Sequence, residues 1–142
     1  RRTVHIYRRN IFYYETDRMQ VVHHSNYIRW MEEARIACLN ALGVCYAELE
    51  AKGIISPVLS VECHYRSMSR FGETFRVETK LTEVTRVSYS LSYRIYDDAT
   101  DELRADGTSS HCFINEKGRP ISLAKKEPEL YERVCRAVEP EA

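Results

Sequence analysis

Ser25-Asn26-Tyr27-Ile28-Arg29-Trp30-Met31-Glu32-Glu33-Ala34-Arg35-Ile36-Ala37-Cys38-Leu39-Asn40-Ala41-Leu42-Gly43 decides the fold of this chain. Tyr27, Trp30, Met31, Ala34, Cys38, Ala41 and Leu42 recur at helical spacing and form one apolar face. Ile28 and Leu39 form a neighbouring stripe, with Glu32 and Arg35 between them. Arg29, Glu33 and Asn40 cover only a narrow polar arc. The helix expected over 26–42 is therefore apolar over more than half its circumference, and other structure must wrap it. Ser25 or Asn26 can cap its free N–H groups. Gly43, free to adopt a left-handed conformation, ends it.

Before this helix, residues 4–14 are rich in β-branched and aromatic side chains and read as a strand, and 15–25 are mostly polar. A shorter helical stretch is expected at 45–52. After Pro57 the period changes to two. Residues 58–68 read as a strand. Phe75, Val77, Thr79 and Leu81 alternate with Arg76, Glu78, Lys80 and Thr82. Val87, Tyr89, Leu91, Tyr93 and Ile95 alternate with Ser88, Ser90, Ser92, Arg94 and Tyr96. These are half-buried antiparallel strands. A turn at 97–101, a strand at 103–115, a turn at 116–120 and an amphipathic helix at 128–138 complete the order. Helix and strands are segregated, so the class is α+β with an antiparallel sheet. Curling that sheet around the long central helix is the simplest way to bury it.

The 142 residues suffice for one domain, expected to span 1–142. Lys plus Arg number 21 and Asp plus Glu number 21, a balance that argues against bulk nucleic-acid binding and against a polybasic membrane anchor. No run of apolar residues is long enough to span a membrane. The basic N-terminus has no apolar run behind it, so no signal peptide is expected. Five cysteines, an odd number without a Cys-x-x-Cys, fit neither a disulfide scaffold nor a structural zinc site. They fit buried reduced thiols in a cytoplasmic protein.

Residues 13–27 are dense in titratable groups and lie between a strand and a helix N-terminus. Free N–H groups and the positive end of a helix dipole stabilise negative charge there. Asp17 on that loop could reach a carbonyl held at those donors, and such donors stabilise the oxyanion of acyl transfer. The competing structural reading makes Asp17 a turn residue and the histidines satisfied polar groups. Asp17, His23, His24 and Glu32 are close in sequence, but no His-x-x-x-His pair or Cys cluster supports a metal. Gly-x-Ser-x-Gly, Gly-x-Gly-x-x-Gly and the P-loop pattern are absent.

Tyr14-Glu15-Thr16-Asp17, Val21-Val22-His23-His24-Ser25-Asn26-Tyr27 and Trp30-Met31-Glu32-Glu33-Ala34-Arg35 together resemble the signature of the 4-hydroxybenzoyl-CoA thioesterase family, and more narrowly its Tol-Pal-associated branch. Similarity extends through 65–73 and through Phe113-Ile114-Asn115 to the Lys117-Gly118-Arg119-Pro120 turn. The resemblance implies a hot-dog fold and a cytoplasmic acyl-CoA thioesterase that needs no cofactor or metal. It also implies a homodimer, commonly paired into a homotetramer, with sites at the dimer interface. Asp17 matches the family's essential aspartate, which either attacks the thioester carbonyl or activates a water. His24 matches the helix-start position whose backbone N–H faces the thioester oxygen, and Tyr13 matches an aromatic position lining the site. His23, Ser25 and Asn26 are candidate substrate contacts beside them. Arg66 and Arg70, with Arg86, Lys117 and Arg119, are candidates for a basic patch toward the CoA phosphates. Glu32 and Arg35 match a structural ion pair, whose loss of one partner would cost about 3–5 kcal/mol if buried. Gln20 stands where the family often has Gly, and Ser69 where it often has Pro or Ala.

Three other functions remain open on the same scaffold. One is a thioesterase acting on acyl carrier protein. Another is a non-catalytic acyl-CoA-binding regulator, which would tend to carry an N-terminal helix-turn-helix and lack Asp17. The third is a hot-dog dehydratase, whose Asp/His arrangement is not evident here.

Overall fold

Alternation of apolar and polar residues builds the sheet of this protein, whose computed structural model describes residues 4–138. The elements run β1 (His5–Asn10), α1 (Ser25–Ala41), α2 (Tyr46–Ala51), β2 (Val58–Tyr65), β3 (Thr74–Val84), β4 (Ser88–Asp97), β5 (Leu103–Cys112), α3 (Leu123–Lys126) and α4 (Pro128–Arg136). The strands form one antiparallel five-stranded sheet in the order β1-β3-β4-β5-β2. Phe75, Val77, Leu81, Tyr89, Leu91, Tyr93, Ile95 and Ala105 are buried, all from the inward positions of the three central strands. Tyr27, Trp30, Met31, Ala34, Cys38 and Leu39 of α1 meet them. Trp30 stacks on Phe75 with ring centroids 3.9 Å apart. Helix α1 touches both outermost strands, β1 and β2, as well as β3, so the sheet curls around it as expected.

Gly107 of β5 faces Cys63 of β2, and a Cβ there would lie 2.2 Å from the Glu62 carbonyl oxygen. Only glycine lets the two backbones approach so closely. Among the described residues no helix is long and apolar enough to cross a membrane, and all five cysteines are free.

The structure shortens several expected elements. The strand expected over 4–14 stops at Asn10. There Ile11 N–H turns to the Glu73 carbonyl, and residues Tyr13–Glu15 close a 3-10 turn. Residues 58–68 leave the sheet after Tyr65, because Arg66 and Ser67 N–H groups both turn to the Arg104 carbonyl. Neither Ser25 nor Asn26 caps α1 with its side chain; His23 Nδ1 instead accepts the Ser25 N–H at 3.2 Å. Gly43 takes φ 86° and ends the helix. The short α3, capped by Ser122, carries too few residues to show a period.

Candidate active site

Between β1 and α1 the chain makes a narrow loop that returns on itself. Thr16 bridges to Val22, Asp17 N–H donates to Val21 O at 2.9 Å, and Gln20 N–H donates to Asp17 O at 2.9 Å. The turn needs a left-handed residue, and Gln20 supplies it with φ 64°. That explains why glycine suits this position. Asp17 lies exposed at the mouth of the turn. Its Oδ1 accepts the Met19 N–H at 2.8 Å and the Val21 N–H at 3.4 Å. These bonds orient the carboxylate and leave Oδ2 without a protein donor among the described residues.

The returning strand of the loop runs straight into α1. Val22 N–H donates to Ser69 O and His23 N–H to Glu15 O. The next N–H, that of His24, has no acceptor among the described residues, and it sits at the positive end of α1. His24 is exposed; its ring stacks on His23 at 4.3 Å and meets Tyr65 edge-on at 5.9 Å. His23 Nδ1 accepts the Ser25 N–H at 3.2 Å and lies 2.9 Å from Ser25 Oγ. Tyr13, 71% exposed, sets its ring against Phe71 at 5.6 Å. Tyr14 and Met19 on the same loop, and Met68 on the loop of Phe71, are also exposed.

The remaining predicted contacts take different places. Asn26 is buried, and its amide donates to Glu15 O at 3.0 Å and His23 O at 3.3 Å, so it braces the loop. Arg66 gives its guanidinium to Asp106. Arg70 stays exposed on the neighbouring loop, where it bridges to Val21. Among the described residues, no group of three or more His, Cys, Asp or Glu side chains converges as a metal site.

Two features escape a reading of the sequence. The first is Glu15, only 3% exposed. Its carboxylate accepts from Arg9 Nη1 and Nη2 at 3.1 and 2.7 Å, from Phe12 N–H at 2.8 Å and from Trp30 Nε1 at 3.0 Å. Burial alone would raise its pKa, but the hydrogen bonds from Arg9, Trp30 and Phe12 prevail and hold it below the ordinary carboxylate value. The second is Ser69, buried beneath the loop, whose Oγ and N–H both meet the Tyr27 hydroxyl, at 3.1 and 3.2 Å. Its role extends beyond the turn that holds it.

Further along α1, Arg35 is buried while its partner Glu32 is 47% exposed. Arg35 also donates to Tyr89, whose hydroxyl meets Ser56 Oγ at 2.8 Å. Tyr93, Ser109 and His111 continue the polar string along the inner face of the sheet. Burial, reinforced by the Arg35 charge, pushes His111 down to about 3.

This chain belongs to the thioesterase-like superfamily. The superfamily's sequence profile matches residues 13–138. The chain is 38% identical over 120 residues to YneP of Bacillus subtilis, provisionally named an acyl-CoA thioesterase, covering 84% of this chain and 86% of that one. It is 33% identical over 121 residues to a protein of Aquifex aeolicus provisionally named an esterase, covering 85% and 92%. The hot-dog fold is shared with the crystal structure of DHNA-CoA thioesterase from Staphylococcus aureus, at a TM-score of 0.89 and 30% identity over 94% of this chain and 89% of that one.

Proposed function

We propose that this protein is a cytoplasmic acyl-CoA thioesterase, acting as one hot-dog domain that hydrolyses a thioester to a free acid and coenzyme A. One arrangement carries the reading: an exposed carboxylate, Asp17, with one oxygen held by backbone and the other free, lies on the same β1–α1 loop as the unclaimed His24 N–H. In this reading the His24 N–H receives the thioester carbonyl oxygen, assisted by the α1 dipole, and stabilises the oxyanion as it forms. Asp17 supplies the nucleophilic step, either by attacking the carbonyl carbon or by taking a proton from the attacking water. Departure of the CoA thiolate, which takes up a proton, leaves the free acid directly when water attacks, or an anhydride on Asp17 that a water then cleaves to the free acid when Asp17 attacks. Tyr13 and Phe71 line the acyl side, His23 and Ser25 fix the helix start, and Arg70, on the loop bridged to Val21, is the candidate for the CoA phosphates. The names of the relatives, two thioesterases and an esterase, support the same class.

The working unit in this reading is a homodimer joined through β2, with dimers pairing into a tetramer. In support, β2 is an outer strand of the sheet on which every residue but Cys63 is exposed, Val58, Leu59, Val61 and Tyr65 among them. An open apolar edge of this kind is covered by pairing with another strand, and two-fold pairing of identical chains closes it.

The deciding experiment follows thiol release from a panel of acyl-CoAs, short aliphatic, long aliphatic and benzoyl, for wild type and Asp17→Asn. Turnover that falls by roughly a hundredfold or more in a folded Asp17→Asn upholds the reading. Undiminished turnover removes Asp17 from the chemistry.

A further inference from the structure

Glu15 touches neither the free oxygen of Asp17 nor the N–H of His24, yet both groups hang from it. Its backbone carbonyl accepts the His23 N–H at 3.0 Å and the Asn26 amide at 3.0 Å, which fixes the two residues on either side of His24 and Ser25. Thr16, its neighbour, closes the bridge that forms the base of the Asp17 turn. Its carboxylate joins three separate elements: Arg9 of β1, Phe12 at the start of the 3-10 turn, and Trp30 of α1. The outer anchors are themselves held. Arg9 also binds Glu33 on α1 at 2.9 Å, and Trp30 is fully buried against Phe75.

Loop residues alone would leave the carboxylate and the oxyanion donor free to drift relative to each other. A displacement of about 1 Å costs on the order of a hundredfold in rate. Catalytic groups are held to that tolerance by packed side chains with satisfied hydrogen bonds. Here one buried carboxylate, with all its acceptor directions used, fulfils that requirement for both halves of the site at once.

We propose that Glu15 is a positioning residue for thioester hydrolysis: its buried carboxylate locks the Asp17 turn and the N-terminus of α1 onto the Arg9–Trp30 frame. The proposal rests on the assignment of Asp17 and His24 made above. It separates from a purely structural anchor in one respect. An anchor sets how much protein is folded; a positioning residue sets the rate of the folded protein without changing how tightly substrate is held.

The test compares kcat and KM of wild type, Asp17→Asn, Glu15→Gln and Trp30→Phe on whichever acyl-CoA the wild type turns over best, at a temperature where circular dichroism finds each variant folded. Trp30→Phe removes the Nε1–H donor and keeps an aromatic ring over Phe75, at the cost of the volume of the second indole ring. Glu15→Gln should lower kcat roughly ten- to a hundredfold with KM little changed, and Trp30→Phe should lower it less, in the same direction. A kcat within about twofold of wild type for folded Glu15→Gln overturns the proposal, as does a loss that appears only in KM. If Glu15→Gln does not fold, Trp30→Phe decides, and an unchanged kcat there is equally fatal. Asp17→Asn reports on the underlying assignment alone. Should it keep the wild-type rate, or should the wild type hydrolyse no acyl-CoA, the assignment fails and the positioning role falls with it.

Discussion

The Arg35 guanidinium donates to the Tyr89 hydroxyl across 2.6 Å, joining α1 to β4 inside the curled sheet. Arg35 is almost fully buried, Tyr89 is buried too, and the Tyr89 hydroxyl also meets Ser56. Tyr89→Phe would strand the Arg35 donor and the Ser56 hydroxyl. It should cost about 1–3 kcal/mol, measured by urea denaturation. Glu32→Gln should cost less than the ~3–5 kcal/mol of a fully buried pair, because the Glu32 carboxylate is half in water. A loss of about 3 kcal/mol or more for Glu32→Gln would contradict this.

Acid should weaken the fold in a window set by His111. Burial, with the Arg35 charge behind it, lowers this imidazole from 6.5 to about 3, so the unfolded chain takes up the proton first. The unfolded state then binds more protons than the native state, and stability rises with pH. The contribution is fully present above pH 6.5 and is lost as the pH falls toward about 3. His5, also lowered by burial, adds with the same sign. Glu15, held low by its partners, adds a further loss only at the acid end of the window, below its ordinary value of 4.5. Melting temperatures of wild type and His111→Asn at a series of pH values check this. The variant should have the flatter curve between pH 6.5 and 4.5; parallel curves would contradict the assignment.

Gln20 holds a left-handed backbone conformation, φ 64°, that a side chain disfavours. Gln20→Gly should therefore stabilise the protein by about 0.5–1 kcal/mol, the relief of strain exceeding the extra entropy glycine loses on folding. Gln20→Val should destabilise it, since a β-branched side chain tolerates that conformation least. A thermal melt in which glycine lowers the midpoint would show that the Gln20 side chain makes up for its backbone.

A charge placed on the open edge tests the proposed dimer. Val61→Lys lies on exposed β2 and away from the loops of the site. It should shift the molar mass seen by light scattering toward the monomer while leaving the circular dichroism spectrum unchanged. A mass identical to wild type would place the subunit contact elsewhere.

Sequence spacing was a good guide wherever burial is one-sided. Trp30, Met31, Ala34 and Cys38 mark α1, and the alternation from Phe75 to Tyr96 marks β3 and β4, because each element turns one face to the core. It failed at residues 11–14. Ile-Phe-Tyr-Tyr has the composition of a strand, but the chain turns there because the Glu15 carboxylate takes the Phe12 N–H, and Glu15 is held in place by Trp30, fifteen positions away. The candidate site shows the same division. Asp17 and His24 sit in a local pattern that the family resemblance could pick out. Glu15 and Ser69 act through partners brought close only by folding, Ser69 through Tyr27 at a separation of 42 residues. Asn26 could be read as a cap from its place in the sequence, but its amide is turned back to the loop it follows.

The Asp17 turn has a consequence for how such a protein could diverge. Its base is fastened by the Thr16–Val22 bridge, and its carboxylate is oriented by the Met19 backbone, to which side-chain identity is indifferent. Arg18, Met19 and Gln20 at the tip are exposed. Arg18 and Met19 are thus free to vary in size and charge while the carboxylate stays where the backbone puts it; Gln20 is limited by its left-handed conformation. What surrounds the carboxylate and where the carboxylate lies are set separately, so the surface around it can change by single substitutions without moving it.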